Sequence, residues 1–85
     1  MINELEIFKK KLLYRASYRG TKEMDILLSK FVNKFINEFD SIHLKELEKF
    51  LDFEDEIILN FYQFNIVKNK IDQNKISKIF NSFKI

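Results

Sequence analysis

An all-α fold, a small bundle of five short helices, follows from two observations. Apolar residues recur at helical spacing in five segments, which puts each set on one face of an α-helix. Strict apolar/polar alternation, the mark of a half-buried strand, is nowhere sustained. The chain also has no proline and one glycine, Gly20, so it lacks the usual chain-breakers at every other position.

The first helix carries Leu5, Phe8, Leu12 and Ala16 on one stripe, with Lys9, Lys10 and Arg15 outside it. The second is the most strongly patterned, with Met24, Leu27, Leu28, Phe31, Phe35 and Phe39. The stripe lapses at Asp40-Ser41, either of which suits the cap of a third helix bearing Leu44, Leu47, Phe50 and Leu51. The acidic run Asp52 to Glu56 reads as the start of a fourth helix. Carboxylates in a first turn face the positive end of the helix dipole and contribute about 0.3–1 kcal/mol each. Ile57, Ile58, Phe61 and Tyr62 form the buried side of that helix. A polar connection from Asn65 to Lys70 leads to Asp72 as a cap, with Ile71 and Ile76 spaced as a hydrophobic staple. Ile76, Ile79, Phe80 and Phe83 form the last stripe.

At 85 residues the chain is read as one domain, 1–85, because a chain this short buries only about 60% of its unfolded surface and cannot fill two cores. Ten phenylalanines mean that few, bulky side chains fill the interior. The absence of cysteine excludes a disulfide framework and thiolate metal sites and suits a reducing compartment. The N-terminus begins acidic (Glu4, Glu6) without an apolar run of signal length, and no segment approaches the roughly 18 apolar residues of a membrane span. A soluble, unprocessed, cytoplasmic protein is expected. The net charge of +2 divides into +4 over residues 1–22, −6 over 23–56 and +4 over 57–85. So acidic a middle speaks against a uniformly basic nucleic-acid binder, although folding could still gather the two basic ends on one face.

Gly20 marks a break between the first two helices. Continued without interruption, the first stripe would pass through Arg19 and Glu23, whereas the second restarts about one residue out of phase at Met24. Glycine supplies the left-handed conformation that ends a helix, where a β-carbon costs on the order of 1 kcal/mol. Two readings of the corner stay open on these grounds. In one, Gly20 is a cap beside a solvated Arg19 and Glu23 pair contributing about 0–1 kcal/mol. In the other, the bare backbone lets a partner approach, with Arg19 offering a planar donor fork and Glu23 an acceptor.

The order of residues adds a resemblance. The run from Lys11 to Phe31, with Leu12-Leu13-Tyr14-Arg15, then Arg19-Gly20-Thr21-Lys22-Glu23, then Asp25 and Leu27-Leu28-Ser29-Lys30-Phe31, closely resembles the succinate dehydrogenase assembly factor family. These small helical proteins, called SdhE in bacteria, share an Arg-Gly-x-x-Glu signature, onto which Arg19, Gly20 and Glu23 fall. The resemblance covers roughly residues 8–65. Tyr18, Glu56, Phe61 and Ile66 depart from it, standing where the family has a basic residue, proline, tryptophan and glycine; Asn65 is the expected substitute for the last in the left-handed position.

The resemblance implies a non-enzymatic protein that binds the flavoprotein subunit of succinate dehydrogenase, with fumarate reductase as a further client in some bacteria, and promotes covalent attachment of FAD. It implies no cofactor of its own, since FAD belongs to the client; the free protein is expected to be a monomer. Arg19 is then the anchor, Gly20 permits approach, and Glu23 orients Arg19 or accepts bonds from the partner. Tyr14, Arg15 and Asp25 support the same surface, Asp25 being equally suited to cap the second helix. A nucleic-acid binder using Lys9, Lys10, Lys11, Arg15 and Arg19 as a phosphate stripe is the alternative, as is a helical interaction domain with another client. His43, the only histidine, reads as a surface residue, and Glu54-Asp55-Glu56 as a helix start rather than a metal site.

Overall fold

The computed structural model describes residues 3–84; Met1, Ile2 and Ile85, the ends of the expected domain, lie outside the described residues. Five α-helices and one 3₁₀ turn follow in chain order, with no strand among the described residues. Helix α1 (Glu4–Ser17) and α2 (Lys22–Phe35) form a hairpin around Gly20, α3 (Ser41–Leu51) packs on α1, and α4 (Asp55–Phe64) follows a short connection. The 3₁₀ turn Ile71–Gln73 then leads into α5 (Lys75–Ser82), which packs on α3 and α4.

Capping explains most boundaries. The side chains of Asn3, Thr21 and Asp40 accept hydrogen bonds from Glu6 N, Met24 N and His43 N, satisfying donors that α1, α2 and α3 leave free at their N-termini. Asp40 therefore takes the cap that the sequence shares between Asp40 and Ser41. Helix α4 closes on Asn65, whose φ of 56° is left-handed. Its N–H donates to Phe61 O (3.0 Å) and Ile66 N–H to Asn60 O (3.3 Å), the pairing that uses up the last carbonyls.

Four expectations need correction. The acidic run Asp52 to Glu56 does not all open α4: Asp52 closes α3 as its C-cap, and only Asp55 and Glu56 lie in the first turn of α4. Leu5 is exposed, because α1 begins before the level at which Lys9 meets Asn37, just past the end of α2, so its first turn overhangs the hairpin. Phe39 lies beyond α2, which stops at Phe35; the ring instead stacks on Phe35 at 5.9 Å. The cap of α5 is Asn74, not Asp72. The amide of Asn74 closes the 3₁₀ turn on Ile71 O, so α5 starts afterwards, with Asn74 Oδ1 accepting from Ile76 N at 2.8 Å. Ile71 and Ile76 are both fully buried, but as core residues on either side of that cap rather than as a staple across it.

The core is aromatic at its centre. Phe80 meets Phe31 edge-on at 5.0 Å and Phe50 at 5.2 Å, and all three rings are inaccessible to solvent. Burying each contributes roughly 2–3 kcal/mol, and the edge-on geometry adds to that. This cluster joins α2, α3 and α5, while Leu12 and Ala16 seat α1 against them. The single alanine is fully buried where α1 approaches its neighbours.

Candidate partner-binding site at the Gly20 corner

The end of α1 is tied down by two arginines one helical turn apart. Arg15 donates to Asp52 Oδ1 at 2.5 Å and more weakly to Glu48 O at 3.4 Å. Arg19 is more deeply engaged. Its Nε donates to Asp55 Oδ1 (2.7 Å), and its two terminal nitrogens to Leu51 O (2.5 Å) and Phe53 O (2.7 Å). Its own amide donates to Asp25 Oδ1 at 2.5 Å. The guanidinium side chain is only 11% exposed.

The physical reason lies in the α3–α4 connection. A helix ends with carbonyls that lack intrahelical donors, and α4 opens with the carboxylate of Asp55 in its first turn. A planar fork with five donors satisfies both at once. The pairing of Arg19 with Glu23 is thereby corrected, since the partner of Arg19 is Asp55. Asp25 does not cap α2 either: Thr21 does, and the Asp25 carboxylate holds the Arg19 amide.

Gly20 itself points outward. Its φ is +113°, a conformation that side chains with a β-carbon rarely adopt, and a β-carbon placed there would meet nothing within 4 Å among the described residues other than its two chain neighbours. The glycine is required by backbone conformation, and space outside it is open. Beside it Glu23 is exposed on the first turn of α2, with no ion pair among the described residues. On the α1 side Tyr14 and Tyr18 are 66% and 69% exposed, with ring centroids 4.6 Å apart.

The structure thus divides the residues singled out in the sequence. Gly20, Glu23 and Tyr14 are presented to solvent; Arg19 and Asp25 face inward and brace the corner; Arg15 is half-exposed and bound to α3. Asp52, Asp55 and Tyr18 belong to the same assembly and are missed by the motif alone. Only the four-residue spacing of Tyr14 and Tyr18 hints at one of them, since it stacks residues on a helix face. The phosphate stripe of the nucleic-acid reading loses Arg15 and Arg19 to these internal bonds. Elsewhere, His43 Nδ1 lies 2.8 Å from Asp40 Oδ1 and its ring stacks near Phe39.

A protein family described as "Flavinator of succinate dehydrogenase" matches residues 10–84. The chain belongs to this family. Over 48 residues, 56% of the chain, it is 42% identical to succinate dehydrogenase assembly factor 2, mitochondrial, of Scheffersomyces stipitis, of which the match covers 32%. Over the same length it is 40% identical to succinate dehydrogenase assembly factor 2-B, mitochondrial, of Drosophila simulans, and 38% to assembly factor 2-A of Drosophila mojavensis, covering 31% of each. The match thus spans about a third of these curated relatives. No solved structure matches the chain. The relatives' names place those proteins in mitochondria; the cytoplasmic expectation for this chain rests on its sequence alone. No described helix is long and apolar enough to cross a membrane.

Proposed function

We propose that this family member docks through its Gly20 corner on the flavoprotein subunit of succinate dehydrogenase and promotes covalent attachment of FAD to that subunit. One observation carries the reading: an outward glycine at φ +113° with open space beyond it, on a corner braced from inside by Arg19. Family membership supports the class of client, since the relatives are named as succinate dehydrogenase assembly factors. The fumarate reductase flavoprotein is a second client of the same kind.

The residues divide the work. Gly20 lets the client's backbone come close, Glu23 accepts hydrogen bonds from it, and the Tyr14–Tyr18 pair supplies amphipathic contact area. Arg19 acts as the brace that fixes this surface, with Asp25 holding its amide and Arg15 its helix. Rigidity matters because an ordered corner loses less entropy on docking. In this reading FAD belongs to the client, and the chain's part is to position rather than to react. It works by restraining the client so that the flavin and its attachment residue stay near the roughly 3–3.5 Å separation from which a bond forms.

Deleting the gene and measuring covalent flavin on the client subunit by in-gel fluorescence tests the proposal. Covalent flavin is expected to fall and to be restored by the wild-type gene. Gly20→Arg, whose side chain would project into the docking space, should fail to restore it while circular dichroism shows a folded protein, and Glu23→Ala should restore it partly. Unchanged flavin after deletion, or full rescue by Gly20→Arg, would overturn the assignment.

A further inference from the structure

We propose that a second surface, the hollow between the C-terminal end of α2 and α5, binds an acidic peptide segment carrying an aromatic or branched apolar anchor. The hollow has a volume of about 410 Å³ and a floor of Phe35, Ile79 and Phe83, within the roughly 300–1,000 Å³ of ligand-sized concavities. Lys34, Lys78 and Lys84 surround it. Among the described residues none of these three ammonium groups has a carboxylate partner. Lys34 Nζ is held above the rings of Phe35 (5.6 Å) and Phe83 (5.7 Å), which keeps its charge over the apolar floor. This surface is independent of the Gly20 corner: the 14 residues of α2 separate the two, about 20 Å at the helical rise.

Charge complementarity selects the occupant. Three cations without a carboxylate partner among the described residues, two at the hollow and Lys84 seated at its edge over the Tyr62 ring (5.4 Å), fit carboxylates at the rim and one apolar side chain in the middle. A nucleic-acid backbone fits less well, because a neighbouring hollow that shares Phe35 and Ile79 is bordered by Glu38, by Asp40 and by the His43 that holds the Asp40 carboxylate, so that phosphates running on would meet the Glu38 carboxylate. In a second copy of the chain Asp52 and Asp55 are engaged by Arg15 and Arg19 while Glu54 and Glu56 are exposed, so self-association is the alternative occupant that sedimentation separates from a peptide. The acidic far border gives direction: the peptide's carboxylates lie at the α5 end and its neutral residues toward Glu38.

A short fluorescein-labelled peptide with a run of Asp and Glu beside a Phe-Leu pair, titrated with the full chain and followed by fluorescence anisotropy, tests the proposal. Saturable binding is expected, weakened at least about tenfold by combining Lys34→Glu, Lys78→Glu and Lys84→Glu, and weakened also when the peptide's Phe-Leu pair becomes Ser-Ser. Lys9→Glu, Lys10→Glu and Lys11→Glu on α1 control for nonspecific attraction and should leave binding unchanged. Gly20→Arg should too, which separates this surface from the proposed docking corner. The proposal is overturned by absence of saturable binding, by equal weakening from the α1 variant, or by undiminished binding to the triple α5-side variant. It is overturned equally if a single-stranded oligonucleotide competes as well as the peptide, or if sedimentation shows the hollow filled by self-association.

Discussion

The Nε of Arg19 stands 2.7 Å from the carboxylate of Asp55, joining residues 36 apart and locking the end of α1 to the first turn of α4. With Leu51 O and Phe53 O on the other two nitrogens, one guanidinium satisfies the acceptors of a whole interhelical connection. The signature arginine of the family is, in this chain, a structural keystone of the corner it flanks.

Arg19→Ala should therefore destabilise the fold by about 3 kcal/mol, because it strands Asp55 and two carbonyls in a largely covered site. Arg19→Lys should recover less than half of the loss, as an ammonium cannot fork. Arg15→Ala, at an exposed pair, should cost about 0.5 kcal/mol. Urea unfolding of the three variants checks the order, and an Arg19→Ala cost equal to that of Arg15→Ala would refute the brace.

Asn65 ends α4 at φ 56° and also accepts from Asn81 Nδ2 at 3.0 Å. Asn65→Ala should cost about 1 kcal/mol, whereas Asn65→Gly should stay within about 0.5 kcal/mol of wild type, glycine regaining in backbone freedom what the lost exposed bond gave. Equal destabilisation by both, seen in thermal melts, would show that the side chain rather than the backbone conformation matters.

Ser77 is fully buried in α5, and its hydroxyl has no hydrogen-bond partner among the described residues. Ser77→Ala removes an unsatisfied polar atom at little change in volume and should stabilise the chain by about 1 kcal/mol. A loss of stability on denaturant titration would contradict this.

The Asp40 carboxyl is held below its usual range, first by the hydrogen bond from the His43 amide and then by that from the His43 ring. A depressed folded-state value means that the unfolded chain takes up the proton first as the solution is acidified. The cap's contribution is therefore complete above the ordinary carboxylate range near pH 4 and disappears as pH falls through the lower, folded value. The difference in melting temperature between wild type and Asp40→Ala should accordingly be steady near pH 5 and shrink toward pH 2. A difference that persists at the acid end would place the cap's effect elsewhere.

Helical periodicity set the five helices and the break at Gly20, since stripe spacing and backbone conformation are local properties carried by neighbouring residues; the left-handed end at Asn65 was reached instead through the resemblance, whose glycine is replaced here by Ile66. Local order likewise carried the family resemblance through Arg19, Gly20 and Glu23. The offset of the last cap to Asn74 was less legible, because a competing 3₁₀ turn closes on Ile71 and several polar residues nearby could each have capped α5. Which way Arg19 faces was decided only by tertiary structure. The partners of its guanidinium lie more than thirty residues away on a connection whose carbonyls look the same in any sequence, and only the packing of α3 on α1 brings them within its reach. The lysine-ringed hollow arose in the same way, from Lys34 on one helix and Lys78 and Lys84 at the far end of the chain, which share a surface because Phe83 folds back against Phe31.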